Sequence, residues 1–199
     1  AIVSFNENKV VIEKAYGTFS EGNIQMDGTV YLEKFAIKQL ALSGKISQVR
    51  WIFAPRCWTY LNGQIYLSGS YNQPFLSGQV NIQNGVYTER FDWTKLALKS
   101  SSTKTVVTKD SWLNNLRFNL RVQTSNFFVK NNLATVNLNS DILLKGSIPE
   151  PFLIGWINAK DGWIYFRGNK FEISKLFIQF NDPTSIKPYL NISARTSIS

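Results

Sequence analysis

Leu67 to Arg90 reads LSGSYNQPFLSGQVNIQNGVYTER, and Leu144 to Arg167 reads LKGSIPEPFLIGWINAKDGWIYFR. The two stretches align without a gap at a constant offset of 77, and ten of the 24 positions are identical: Leu, Gly, Ser, Pro, Phe, Leu, Gly, Asn, Gly and Arg. A repeat at fixed period marks one supersecondary unit used twice, each copy burying a face that it cannot bury alone. Both copies are strand and turn, so the expected product is a ribbon-like β structure rather than a compact catalytic domain.

Outward from the repeat the same texture continues. Leu116, Phe118, Leu120 and Val122 alternate with Arg117, Asn119, Arg121 and Gln123. Val136, Leu138, Ile142 and Leu144 share one parity, broken by Ser140, and Leu190, Ile192, Ala194 and Ile198 alternate with Asn191, Ser193, Arg195 and Ser197. Period two with one apolar and one polar face marks strands of a sheet that is wet on one side. Gly63, Gly69, Pro74, Gly78 and Gly85, then Gly146, Pro149, Pro151, Gly155, Gly162 and Gly168, punctuate the chain at the short intervals of consecutive antiparallel strands. Lys34–Ala41 and Phe91–Lys99 fit either a strand or a short helix. Residues 99–110, rich in Ser, Thr and Lys, are predicted to form a mobile loop. The whole, 1–199, reads as a single β domain with little helix. Because it begins with Ala1, it is read as an excised domain of a longer protein.

Composition narrows the function classes. Hydrophobic residues are 44% of the chain, which argues against disorder. Charged residues are only 18%, against a typical value of about 25%, so Asn, Ser and Thr do much of the solubilising work. The net charge of +9 permits nucleic acid, an anionic membrane or an acidic protein as partner. The basic residues are scattered singly, which argues against nucleic acid. Cys57 is the lone cysteine, so an intrachain disulfide and a Cys-rich metal site are excluded. The sequence has no run of 18 apolar residues, so no transmembrane helix is expected.

Catalytic signatures are missing. The chain has no histidine, which removes Ser-His-Asp and Cys-His nucleophile activation and the commonest transition-metal ligand. Phosphate-loop, dinucleotide and nucleophile-elbow patterns are absent. Asp161 and Asp182 read as turn residues and Glu172 as a solvent-facing strand residue, rather than as a glycosidase pair. The chain is expected to be no enzyme, and no cofactor or metal is expected.

The segment Leu153–Ala194 is the most distinctive. Gly155, Gly162, Ile164, Phe166, Gly168, Phe171, Ile173, Ile178, Phe180, Asp182, Pro183, Pro188, Leu190, Ile192 and Ala194 match a pattern of glycine-bounded strands, Phe-x-Ile, Asp-Pro and Pro-x-Leu-x-Ile-x-Ala. With this pattern the chain resembles the C-terminal domain of the TamB family, of the AsmA-like group of diderm envelope proteins. The likeness is specific from Ile65 to Ala194; the first 60 residues fit by texture alone. The resemblance implies a β-taco: a long antiparallel sheet curled into a U, apolar inside and polar outside. It also implies a parent anchored in the inner membrane and crossing the periplasm. Such parents are thought to carry phospholipid toward the outer membrane and to work with an Omp85-type partner, TamA, in outer-membrane protein assembly.

A curled apolar face suits acyl chains. Each buried methylene is worth roughly 0.8 kcal/mol, much of it offset by lost membrane contacts, so lipid can enter and leave. About twelve strands spaced about 4.8 Å apart would make a trough on the order of 55 Å long. The expected lining is Leu116, Phe118, Leu120, Val122, Val136, Leu138, Ile142, Leu144, Ile157, Ile164, Phe166, Ile173, Ile178, Phe180, Leu190 and Ile192. The residues by themselves leave the parity of Trp163 and Tyr165 against Ile164 and Phe166 open, since both sets are bulky. Arg90 and Arg167 suit either a strand-bridging or a phosphate-binding role, and Trp51 and Trp58 are candidates to close one end of the trough. Cys57 reads as a small buried residue. The alternatives are a β-augmentation module that pairs its edge strands with an outer-membrane assembly partner, and a closed, filled β-sandwich or solenoid with carbohydrate-binding aromatics.

Overall fold

The computed structural model describes residues 1–92, 112–159, 161–182 and 187–196. Twelve strands form one sheet: β1 (Ile2–Asn6), β2 (Lys9–Phe19), β3 (Gly22–Glu33), β4 (Ala36–Ala54), β5 (Cys57–Ser70), β6 (Gln73–Tyr87), β7 (Arg117–Lys130), β8 (Ala134–Ser147), β9 (Pro151–Ala159), β10 (Gly162–Phe166), β11 (Asn169–Phe180) and β12 (Tyr189–Arg195). The helix among the described residues is one 3-10 turn, Trp112–Asn115. Lys34–Ala41, ambiguous in sequence, is a turn followed by the start of β4. Of Phe91–Lys99, residues 91 and 92 are irregular; the remainder, like the loop expected over 99–110, lies outside the described residues.

Strands pair antiparallel with their sequence neighbours, with two exceptions. β9 and β10 share one lane between β8 and β11: β9 pairs Asn139–Gly146 of β8 and Leu176–Phe180 of β11, while β10 pairs Ala134–Val136 and Asn169–Glu172. The sheet is therefore eleven lanes wide, about 48 Å at the usual spacing. The second exception is one parallel pair in an otherwise antiparallel sheet. β6 and β7 run parallel, Phe75 opposite Arg117 through Tyr87 opposite Val129. Residues 88–116 connect them, long enough for the crossover that a parallel pair needs.

The repeated segment is a repeated hairpin arm. β6 pairs β5 as β9 and β10 together pair β8. Gly69 and Gly146 hold φ of 99° and 100°, and Gly78 and Gly155 hold 137° and 134°. At Gly78 and Gly155 a Cβ would collide with a carbonyl of the neighbouring strand, of Gln64 and Asp141 respectively. Glycine is required there by backbone conformation and close approach together.

Bulges recur across the sheet. An extra residue shifts the pairing between Ile12 and Ala15, between Ile46 and Val49, between Thr124 and Phe127, and between Ile173 and Lys175. β6 carries its own, from Ile82 to Gly85, with Asn84 at φ 51°; since β7 bulges at the same level, the parallel pair stays in register. Bulges bend strands and increase their twist. Recurring lane after lane, they give the sheet its curl.

Candidate functional site

Residues opposite one another in a sheet point to the same side, so the register fixes the faces. One ladder across the lanes runs Ala15, Met26, Gly44, Ile65, Gly78, Leu120, Leu144 and Leu153. The next runs Gly17, Ile24, Ile46, Gly63, Val80, Val122, Ile142, Gly155 and Phe180. Neither contains a polar side chain. The bulges keep this true along each strand: Val49 returns to the face of Ile46, and Phe127 to that of Thr124.

The apolar face is the concave one. Among the described residues the buried hydrophobics are Leu40, Val49, Cys57, Val136, Ala159 and Ile173, and all six lie on it. So do the fully buried Thr59 and Pro74. The rest of the face is half-exposed. A filled sandwich would bury most of it; here extended packing joins hydrogen-bonded neighbour lanes, with the 3-10 turn against β6. The densest patch is Val136, Ala159 and Ile173, flanked by Val129, Ala134, Leu138, Ile164 and Leu176, where three strands meet around the shared lane.

Thr59, Thr124 and Ser140 interrupt the apolar surface, and the two threonines are turned to backbone. Thr59 Oγ1 donates to the Gln83 carbonyl at 3.0 Å, and Thr124 Oγ1 to the Ile82 carbonyl at 3.1 Å. Both acceptors sit at the β6 bulge, where the ladder leaves carbonyls free. The threonines satisfy them without presenting a donor to the trough.

The opposite face is amide-rich. Arg121 grips Asp141 through two bonds, Nε to Oδ1 at 2.8 Å and Nη2 to Oδ2 at 2.6 Å. Gln123 Nε2 donates to Asp141 Oδ2 at 3.0 Å, and Gln79 Nε2 to Gln123 Oε1 at 2.5 Å. The hydrogen bond and charge from Arg121 hold the Asp141 carboxyl below its ordinary value, against a smaller opposing push from burial. A second chain joins Gln48, Asn62 and Gln83. Two open depressions on this face, of about 760 and 620 Å³, are lined mainly by such polar groups, among them Lys45, Gln64 and Gln79 in the larger. A twisted sheet is saddle-shaped and so has hollows on both sides; these two offer little to an acyl chain.

Of the sixteen residues expected to line a trough, fifteen lie on the concave face: Phe118, Leu120, Val122, Val136, Leu138, Ile142, Leu144, Ile157, Ile164, Phe166, Ile173, Ile178, Phe180, Leu190 and Ile192. Leu116 lies between the 3-10 turn and β7, outside the strand. Trp163 pairs with Glu172 and Thr135 on the outer face, which puts Ile164 inside. Trp51 is on the concave face, but Trp58 points the other way, 5.9 Å from the Tyr60 ring and 5.7 Å from the Arg50 guanidinium, so the two do not act together. Arg167 occupies the β10–β11 turn, 5.5 Å from the Phe166 ring, and bridges no strands. Cys57 is buried and free, and burial pushes its thiol up.

Sequence reading missed the N-terminal half of the face. Val10, Ile24, Leu40, Leu42, Ile46 and Val49 belong to it. Leu40, Leu42 and Ile46 alternate legibly; the bulge at Gln48, φ 54°, then flips the phase and hides Val49 and Trp51.

Among the described residues no group of His, Cys, Asp and Glu is arranged to hold a metal ion, and no helix is long and apolar enough to cross a membrane, which leaves strand-built spans untouched. Comparison with curated proteins gives no match. The model of the TamB C-terminal domain matches residues 14–199, from within β2 onward, and thus takes in both copies of the repeat. The chain belongs to the TamB C-terminal domain family.

Proposed function

We propose that this segment of a TamB-like envelope protein shields and conducts phospholipid acyl chains along its concave face, in the periplasm, as part of a parent anchored in the inner membrane. The supporting observation is the pair of all-apolar ladders crossing eight and nine strands on a face that no second sheet layer covers among the described residues, most of whose side chains are only half-buried. An apolar surface of that extent calls for a cover. Acyl chains laid across the strands supply one, and a headgroup can stay in water at the open rim. The two threonines that cap the bulge carbonyls remove polar snags from the path. Gently purified protein should yield phospholipid on organic extraction and mass spectrometry; protein that is folded and lipid-free after such purification refutes conduction.

A second reading has an observation of its own. Among the described residues β12 pairs only with β11, and its Tyr189, Leu190 and Ile192 are exposed. Such an edge can accept a further strand by β-augmentation, from an Omp85-type partner or a barrel substrate. Asn191→Pro should abolish that pairing and leave lipid content unchanged; partner binding that survives the proline refutes it.

A further inference from the structure

The two rims of the sheet differ in charge over the lanes from β7 to β12. At the end that carries the β7–β8 and β10–β11 turns lie Lys130, Arg167, Lys170 and Arg195, with Glu172 as the one carboxylate on that rim among the described residues. Among the described residues the opposite rim of the same lanes is more nearly balanced, Arg117, Lys145 and Lys187 against Glu150 and Asp182. None of the four cations makes a salt bridge with a described residue. Their placement is specific. Phe166 ends β10 on the concave side and is 55% exposed, so the apolar surface runs out to the rim there. Arg167 follows it at φ 49°, its guanidinium 5.5 Å from the Phe166 ring. Lys130 ends β7 two lanes away, opposite Thr135 and so on the outer face. Lys170 is held over Trp163 on the outer face, 3.6 Å from ring centroid to Nζ, and so contributes field rather than contact. At this rim a continuous apolar surface thus ends beside an excess of positive charge.

We propose that this rim holds the phosphate of anionic phospholipids whose acyl chains lie on the concave face beside Phe166. The inference rests on the lipid-conducting reading and adds to it a headgroup class and an orientation. Arg167 offers the planar fork that suits phosphate, and Lys130, on the outer side of the rim, adds positive field.

The test equilibrates the protein with vesicles of phosphatidylethanolamine and phosphatidylglycerol in equal parts, re-isolates it and quantifies both retained lipids. Phosphatidylglycerol should be enriched about fivefold per engaged cation, from the usual attraction of a basic side chain to an anionic surface. The double variant Lys130→Gln/Arg167→Gln should bring the ratio near one with total lipid unchanged, and Arg117→Gln on the opposite rim should not move it. Inorganic phosphate should fail to displace the retained lipid, whereas raised salt should flatten the preference. Equal retention of both lipids by the unaltered protein, a preference that survives the double variant, or displacement by inorganic phosphate overturns the inference and leaves the trough standing. Folded protein that retains no lipid overturns both.

Discussion

Phe118→Asp separates a lipid-bearing face from an ordinary core. Phe118 lies on β7 between Leu76 and Gly146, half-buried and outside the dense patch around Val136. Fully burying such a side chain is worth roughly 1.5–3 kcal/mol, so losing half of that burial should cost the fold about 1 kcal/mol. The cost to lipid is larger. One lane is about 4.8 Å wide, and roughly four methylenes of a chain crossing it lie against this side chain; at about 0.8 kcal/mol each they account for about 3 kcal/mol. A carboxylate there also resists being covered by hydrocarbon. Lipid retention should fall on the order of 100-fold, while the urea midpoint moves only slightly. Ser77→Asp, on the outer face beside Asn119, puts the same charge on the same level of the sheet and should leave retention intact. Extraction with quantitative mass spectrometry, paired with urea unfolding, reads both quantities. A folded Phe118→Asp protein with undiminished lipid, or an equal loss in Ser77→Asp, refutes the reasoning.

Thr59→Val keeps the shape and strands the Gln83 carbonyl, which should cost about 1–2 kcal/mol in denaturant unfolding; no change would mean that the carbonyl finds another donor. Gly78→Ala forces a Cβ against a neighbouring carbonyl at φ 137° and should destabilise by roughly 2 kcal/mol or more, whereas Gly168→Ala, in open space at φ 80°, should cost only about 1 kcal/mol; equal losses would remove close approach as the reason for Gly78. Because Arg121 depresses the Asp141 pKa from 3.8, the pair adds stability that is fully present above that pH and is lost as pH falls through the lower folded value. Asp141→Asn should therefore flatten the acid limb of the stability curve and leave its slope near neutrality alone, as a pH series of urea midpoints would reveal.

The site was more legible in the C-terminal half than in the N-terminal half, for a local reason. Strands β7, β8 and β12 alternate over several residues on at least one side of any bulge, so parity alone placed Phe118, Leu138 and Ile192 on one face. β2 and β4 are bulged near their middles, and each extra residue reverses the phase, so Ile46 and Val49 share a face that simple alternation assigns to opposite ones. The 163–166 run was undecidable because Trp163 and Tyr165 are as bulky as Ile164 and Phe166; only pairing with Glu172 and Thr135 puts Trp163 outside.

Alternation, close-set glycines and the offset of 77 determined an all-β ribbon built from a reused hairpin arm, because side-chain period and turn chemistry are properties of neighbouring residues. The parallel pairing of β6 with β7, the sharing of one lane by β9 and β10, and the alignment of bulges that bends the sheet toward its apolar side were decided only in three dimensions. Each depends on which backbone edges meet across long stretches of chain, and an amide left free by one strand carries no mark in the sequence of the strand that will take it up.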